Sequence, residues 1–389
     1  MVHNITVPDI NKAVYQLSQL VITDGVKRLK KQGMGKEANI YDTHVLLEIA
    51  RPKRRIILLD HRNNNPFATL YETLWVLSGS RLLKGLKFFL PRAVDYADDY
   101  DKSYWRAGYG PRLRYYYGLN DGSHSRFQKA VEQGRSPLDM STMQAANFRP
   151  IDQIGYVLSK LKTNLTTNRA VMSLWDPAKE CATGHSKDYP CSNYVHFLIR
   201  DEKLDCSLVM RSNDLYWGFS HINVYEFTYI QEIIAKALGV EVGSYYHYCP
   251  SLHVYEDMYP KVEKLAENMP KTYDIPTFDV VEGGTGIHFF RNIVQLVDKY
   301  AESEPLDLEK MCELEVHYDT EEEIKLYLLL YVIWKKMPKR MFEKFYRSVM
   351  ERTKFTDMKV ACRHFFNRQL KKSKLVEDAY QQVKNQNYE

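Results

Sequence analysis

The sequence lacks most of what would place a chain outside the ordinary globular enzymes. No stretch approaches the roughly 18 consecutive apolar residues that a membrane-spanning helix needs. The opening MVHNITVPDINKAV has neither a basic start nor an apolar run, so no secretory signal is read. The six cysteines, Cys181, Cys191, Cys206, Cys249, Cys312 and Cys362, are scattered and form no C-x-x-C pair. That spacing argues against a disulfide framework or a metal site, and points to free thiols in a reduced cytoplasm. There is no internal repeat and no low-complexity tract. Neither sign of charge dominates: 54 Lys and Arg face 49 Asp and Glu, a net +5. Such a balance permits anionic ligands without demanding nucleic acid.

What is present suits a folded domain. Apolar residues at 44% and charged residues at 26% exclude a disordered chain. Tyrosine is abundant, 29 copies against 16 phenylalanines, as expected of half-buried rings around polar ligands. Residues 11–32 have near-helical apolar spacing, and 54–60 (RRIILLD) read as a strand. Pro66 opens a helix that Ser78-Gly79-Ser80 ends, whereas 84–150 look irregular. A helix over 151–164 and a strand at RAVMSLW follow. YVHFLIR and LDCSLVMR then flank a turn at Asp201-Glu202-Lys203, a hairpin pattern. Residues 222–238 form a core helix closed by Gly239, and SYYHYCPSLHVY alternates as a strand. Prolines and glycines mark a boundary over 256–285, and the remainder is helical. Residues 331–380 hold 14 Lys and Arg against 5 Asp and Glu.

Among the thiols, Cys191 precedes the hairpin, while Cys206 and Cys249 sit within alternating strands as packing residues. The hairpin brings the start of its first strand near the end of its second, making Cys191 and Arg211 neighbours. A guanidinium beside a thiol suits an anionic substrate and the thiolate form.

In order and spacing, Asp152-Gln153-Ile154, Trp175-Asp176, Pro190-Cys191, Arg211-Ser212-Asn213-Asp214, Asn223 and His253-Val254-Tyr255 resemble the thymidylate synthase family. Upstream, Tyr71-Glu72-Thr73-Leu74-Trp75 is similar to the family's E-L-L-W helix, and Gly108-Tyr109-Gly110 to its V-Y-G loop. The match covers about residues 50–260. It implies an α+β fold, a mixed sheet with surrounding helices, in a catalytic domain over 1–265. Residues 266–389 would be a helical C-terminal extension that the family lacks. It also implies a homodimer formed through the sheet.

The resemblance further implies transfer of a one-carbon unit from 5,10-methylenetetrahydrofolate to carbon 5 of deoxyuridylate (dUMP), without a metal. Cys191 would attack carbon 6 and so make carbon 5 nucleophilic. Glu72, Tyr109 and Asp214 would complete the catalytic set, with Glu72 and Tyr109 moving protons. Arg211, Ser212 and Arg169, the last donated by the partner subunit, would hold the phosphate, with Arg51 or Arg55 as substitutes for a missing arginine. His253 and Tyr255 would hold the sugar, and Trp75 and Asp214 the folate. Asn223 would read the uracil edge if one residue is inserted before it; without that gap Ile222 occupies the position. Aspartate in its place would favour cytosine.

Several departures from the family pattern favour water over hydride at the last step. Ser192 replaces a histidine, Asp176 replaces an asparagine, and the chain ends in the polar QQVKNQNYE rather than a short apolar lid. These features and the RSND motif resemble the bacteriophage dUMP hydroxymethylases. Thymidylate synthesis and deoxycytidylate (dCMP) hydroxymethylation are the alternatives. The basic C-terminal segment leaves DNA binding on a degenerate synthase fold as a disfavoured non-enzymatic reading.

Overall fold

Strand β1 (Val2–Val7) leads into helix α1 (Ile10–Asp24), whose N-cap Asp9 accepts from the Lys12 amide at 3.0 Å. The computed structural model describes residues 2–29, 37–41, 43–98, 101–116, 151–181, 188–272, 274–280, 286–302 and 320–370. Most of the loop expected within 84–150, Gly283-Gly284, Cys312 and the polar QQVKNQNYE end lie outside the described residues. After α1 come β2 (Gly25–Leu29), β3 (Glu37–Tyr41), β4 (His44–Ile49), α2 (Pro66–Leu77), α3 (Leu83–Phe89), α4 (Tyr109–Arg114) and α5 (Gln153–Thr163). Next are β5 (Val171–Ser173), the hairpin β6 (Ser192–Arg200) and β7 (Lys203–Met210), and β8 (Asn213–Asp214). A π-helix (Leu215–Asn223) runs directly into α6 (Val224–Leu238), followed by β9 (Glu241–Cys249), β10 (Leu252–Tyr255) and α7 (Tyr259–Glu267). Four helices complete the order: α8 (Ile287–Glu302), α9 (Thr320–Lys336), α10 (Lys339–Arg352) and α11 (Asp357–Gln369).

The fold is α+β. A six-stranded mixed sheet runs β1-β4-β9-β7-β6-β5, and a four-stranded sheet runs β2-β3-β10-β8. Asp201 and Glu202, at φ 47° and 60°, make the hairpin turn that matches right-handed strand twist. Helix α6 crosses from β7 to the parallel β9 and is pinned to the sheet by Gln231, whose Nε2 donates to the Leu204 carbonyl at 2.7 Å. Register splits the sheet into two faces. Leu47, His247, Leu208, Val195 and Met172 align on the face buried under α6, all at or below 2% exposure. Leu46, Tyr248, Val209 and Tyr194 align on the other, where Leu46 and Tyr194 remain 37% and 42% exposed.

Three local expectations change. The basic end of the helix expected over 11–32 is instead β2, which pairs antiparallel with β3. Residues 54–60 form no strand although Ile56, Ile57, Leu58 and Leu59 are buried. Asn11 satisfies their backbone in place of a ladder: its Nδ2 donates to the Ile56 carbonyl at 3.1 Å, and its Oδ1 accepts from the Leu58 amide at 2.8 Å. The described part of 84–150 holds α3, α4 and a 3-10 turn at Pro91–Tyr96, so it is more regular than its composition suggests.

All twelve residues of α2 are buried. One side meets the sheet domain and the other meets the C-terminal helices. Phe67 packs on Tyr331, Phe365 and Phe366 at 5.3–5.5 Å between ring centroids, and Tyr71 donates to Asp298. The hydrophobic core is continuous from Val7 to Phe366.

Candidate active site

Cys191 lies half-buried at the entrance to β6. The hairpin register puts Arg211 directly beside it: the Arg211 amide donates to the Cys191 carbonyl at 2.9 Å, and Nη2 reaches Sγ at 3.7 Å. The same guanidinium holds the preceding loop through the carbonyls of Pro190 (2.9 Å) and Tyr189 (3.1 Å). From below, buried Arg106 and Arg112 share Glu180 at 2.6 Å each, and Arg106 also donates to the Asp188 carbonyl. The thiol therefore sits on a loop fixed by charge-assisted bonds at both ends.

Tyr109, at the start of α4, accepts the Ser192 amide at 3.0 Å through its hydroxyl. Burial raises its pKa, and the Cys191 sulfur adds to the rise, so the phenol stays protonated next to the thiol. On the opposite side, Tyr255 is pushed up to about 12 by burial, with further contributions from Asp214 and Cys191. Its ring meets His253 edge-on at 5.1 Å. His253 Nδ1 lies 3.5 Å from the Ser212 hydroxyl, which donates to the Ser251 carbonyl at 3.3 Å. Parallel pairing of β10 with β8 sets His253 next to Asp214.

Asp214 caps the π-helix by accepting the Trp217 amide. Its other oxygen is buried without a hydrogen-bond partner, and burial lifts the carboxyl to about 6. A π turn takes one more residue than an α turn, so this segment can hold the extra residue expected from the sequence. It ends on buried Asn223, whose Oδ1 lies over Gly218; a Cβ there would come within 2.9 Å of it. Asn223 stands at the start of α6.

Glu72 on α2 is buried, and burial alone raises its carboxyl to about 8. His221 faces it, with Nε2 at 3.8 Å from Glu72 Oε2. The imidazole is depressed to about 3 by burial and by Arg62. The two groups are therefore mainly neutral at neutral pH, not an ion pair. Glu226, in the first turn of α6, is buried as well; desolvation and Glu72 raise its carboxyl, and it acts electrostatically on Tyr109. This carboxyl links the Glu72 side of the site to the Cys191 side.

Not every expected residue joins this cluster. Trp75 is 2% exposed and spends its indole N–H on the Leu82 carbonyl at 3.0 Å. It backs Trp105, which stacks on half-buried Tyr96 at 5.2 Å, so the outer aromatic wall comes from residues the sequence did not single out. Tyr96 also senses Asp214 and Tyr255. Arg169 is exposed before the edge strand β5, apart from the thiol's contacts within one chain. Arg55 cannot substitute at the phosphate: it is buried, paired with Glu232, and lies against Tyr225 and Tyr229. Arg62, His221 and Glu226 were missed altogether. Glu226 has one sequence signal, a charged residue inside an apolar helical run, which does not identify its partners; Arg62 lies in the polar turn HRNNN and gives none.

Among the described residues no cluster of His, Cys, Asp or Glu could hold a metal, and no helix is long and apolar enough to cross a membrane. The chain is similar to the deoxyuridylate hydroxymethyltransferase of Bacillus phage SP01, 34% identical over 233 residues, which is 59% of this chain and 54% of that protein. That of Delftia phage PhiW-14 is 31% identical over 60% of this chain and 58% of its own length. A thymidylate synthase of Francisella philomiragia is 25% identical over 58% of this chain and 73% of its own. The chain thus spans a little over half the length of the phage relatives it matches. The thymidylate synthase family model covers residues 12–309. With most of the chain matched and Cys191, Arg211 and Tyr109 gathered as described, this protein belongs to the thymidylate synthase family.

Proposed function

We propose that the protein transfers a one-carbon unit from 5,10-methylenetetrahydrofolate to carbon 5 of dUMP, and that water completes the reaction to give 5-hydroxymethyl-dUMP. The observation that carries the transfer is Cys191, whose sulfur lies 3.7 Å from the Arg211 guanidinium. Thiolate attack at carbon 6 gives carbon 5 the electrons to bond the incoming carbon. Loss of the carbon 5 proton and departure of tetrahydrofolate leave an exocyclic methylene. Tyr109, held by the Ser192 amide and protonated, helps removal of that proton without being its final acceptor. Glu72, titrating near neutrality at about 8, can both give and take a proton during the sequence.

Arg211, exposed toward solvent, anchors the phosphate together with Ser212. The Asn223 amide offers the donor and acceptor that uracil requires. His253 and Tyr255 take the sugar hydroxyl. The buried unpartnered oxygen of Asp214 and the Tyr96–Trp105 stack suit a flat ring bearing N–H donors, the chemistry of a pterin. The row Leu46, Tyr248, Val209 and Tyr194 offers a mixed apolar face for a second copy, with Arg169 reaching its neighbour's phosphate. Sedimentation of Val209→Asp as a monomer, against a dimeric parent, checks this arrangement; a parent that sediments as a monomer contradicts it.

Water as the last reactant is supported by the relatives' names and by Ser192, which takes the place of a larger side chain. Release of carbon 5 tritium from labelled dUMP, dependent on methylenetetrahydrofolate and abolished by Cys191→Ala, tests the transfer. Undiminished release from that variant would refute the assigned nucleophile.

A further inference from the structure

His221 is absent from the roles above, yet its Nε2 lies 3.8 Å from the Glu72 carboxyl. It belongs to the π-helix Leu215–Asn223, whose stretch Gly218–Asn223 the sequence reads as one residue longer than the family pattern. Its side chain is only 9% exposed, and Nε2 is buried with no hydrogen-bond partner. The other nitrogen is committed: Nδ1 lies 3.2 Å from the Thr69 hydroxyl oxygen. That hydroxyl also lies 3.3 Å from the Asn65 carbonyl, to which it can donate while accepting from His221. In the tautomer that goes with this bond the hydrogen is on Nδ1 and the Nε2 lone pair faces Glu72. Arg62, buried and bonded to Ser220 at 2.7 Å, opposes a positive imidazole. A separation of 3.8 Å is too long for a direct hydrogen bond between Nε2 and Glu72 Oε2, but short enough for one water to touch both.

We infer that His221 is a water-positioning residue for the hydration step, holding the nucleophilic water jointly with Glu72. The inference rests on the proposed reaction and concerns only its last stage. The water donates one hydrogen to Nε2 and the other to Glu72 in its ionised form, the minor one at neutral pH, leaving its lone pairs for the methylene carbon. A carbon–oxygen bond forms, and the methylene π electrons move through carbon 5 to the carbon 4 carbonyl oxygen. Glu72 takes the water's proton. The resulting enolate re-forms its carbonyl, makes the carbon 5–carbon 6 double bond and expels the Cys191 thiolate. No external oxidant or reductant is needed. Because Nδ1–H is held by Thr69, the imidazole acts as a fixed acceptor and does not compete for the transferred proton.

The test is a competition for the methylene. The full-length protein is turned over with dUMP and methylenetetrahydrofolate in a fixed concentration of 2-mercaptoethanol, and mass spectrometry gives the ratio of hydroxymethyl product to thiol adduct. This ratio counts only methylene that has formed, so losses in folding or in the earlier steps do not move it. His221→Phe should lower the ratio by about tenfold or more, the scale of a lost proton-transfer or positioning group. His221→Gln, which restores an acceptor near Nε2, should recover part of it, and Thr69→Val should lower it less than His221→Phe. A parent that makes the hydroxymethyl product and an unchanged ratio in His221→Phe would overturn this inference alone. A parent that makes thymidylate would overturn it together with the proposed reaction.

Discussion

Glu72 shows how a single side chain can link stability to chemistry. Its carboxyl ionises at about 8 in the folded protein against an ordinary 4.5, and burial is the sole cause. Between those values the unfolded chain has lost a proton that the folded chain keeps. Stability from this group is complete below 4.5, falls as pH rises through the window, and levels off above 8. The slope is about 1.4 kcal/mol per pH unit at most. Glu72→Gln cannot ionise, so its thermal midpoint should gain on the parent as pH rises from about 5 to 8, while turnover falls. A difference in midpoint that stays constant over that range would contradict the assigned environment. Cys191 and Arg211 were legible in the sequence because a hairpin's register relates residues twenty apart. His221 and Glu226 were not, because their roles depend on which face of the segment meets α2, and the π-helix breaks the 3.6-residue period that would reveal that face.

Among the elements, α2 gives the site its geometry. A helix exposed on one side would show a polar stripe; α2 shows none, since helices α8, α9 and α11 cover what the sheet domain leaves open. Its Pro66 start and Ser78 end were readable from local signals, but the covering helices, distant in sequence, were not. Three of the basic residues after 331 serve packing: Lys336 donates to the Tyr300 carbonyl, Lys359 to the Thr353 carbonyl and Arg368 to the Asn64 carbonyl. These contacts join helix ends and loops within the chain. The Tyr71–Asp298 bond ties α8 to α2 one residue before Glu72, and Gly85 leaves the room for it because any Cβ there would strike both partners. Asp298→Ala leaves the Tyr71 hydroxyl buried and unpaired, and should cost about 1–3 kcal/mol of stability. Tyr71→Phe combined with Asp298→Ala should recover part of that loss in thermal unfolding. A double variant less stable than Asp298→Ala would contradict the assigned pairing. The missed strand β2 and the wrongly expected strand at 54–60 share a cause. Apolar runs report burial, whereas strand identity depends on whether a neighbouring backbone or an Asn11 side chain satisfies the amides.

For the whole molecule, the C-terminal helices share one hydrophobic core with the two sheets and pack on Phe67 and Tyr71 of the helix that carries Glu72. Water reaching the methylene would therefore be selected by groups on α2 and the π-helix. The proposed outcome turns on that last step, which is why product identity is the most direct test. Purified protein is incubated with dUMP and 5,10-methylenetetrahydrofolate, with dCMP run in parallel, and the nucleotide products are weighed by mass spectrometry. The account predicts that dUMP gains one carbon, two hydrogens and one oxygen, with tetrahydrofolate released and dCMP a poor substrate. A gain of one carbon and two hydrogens alone, with dihydrofolate released, would contradict it.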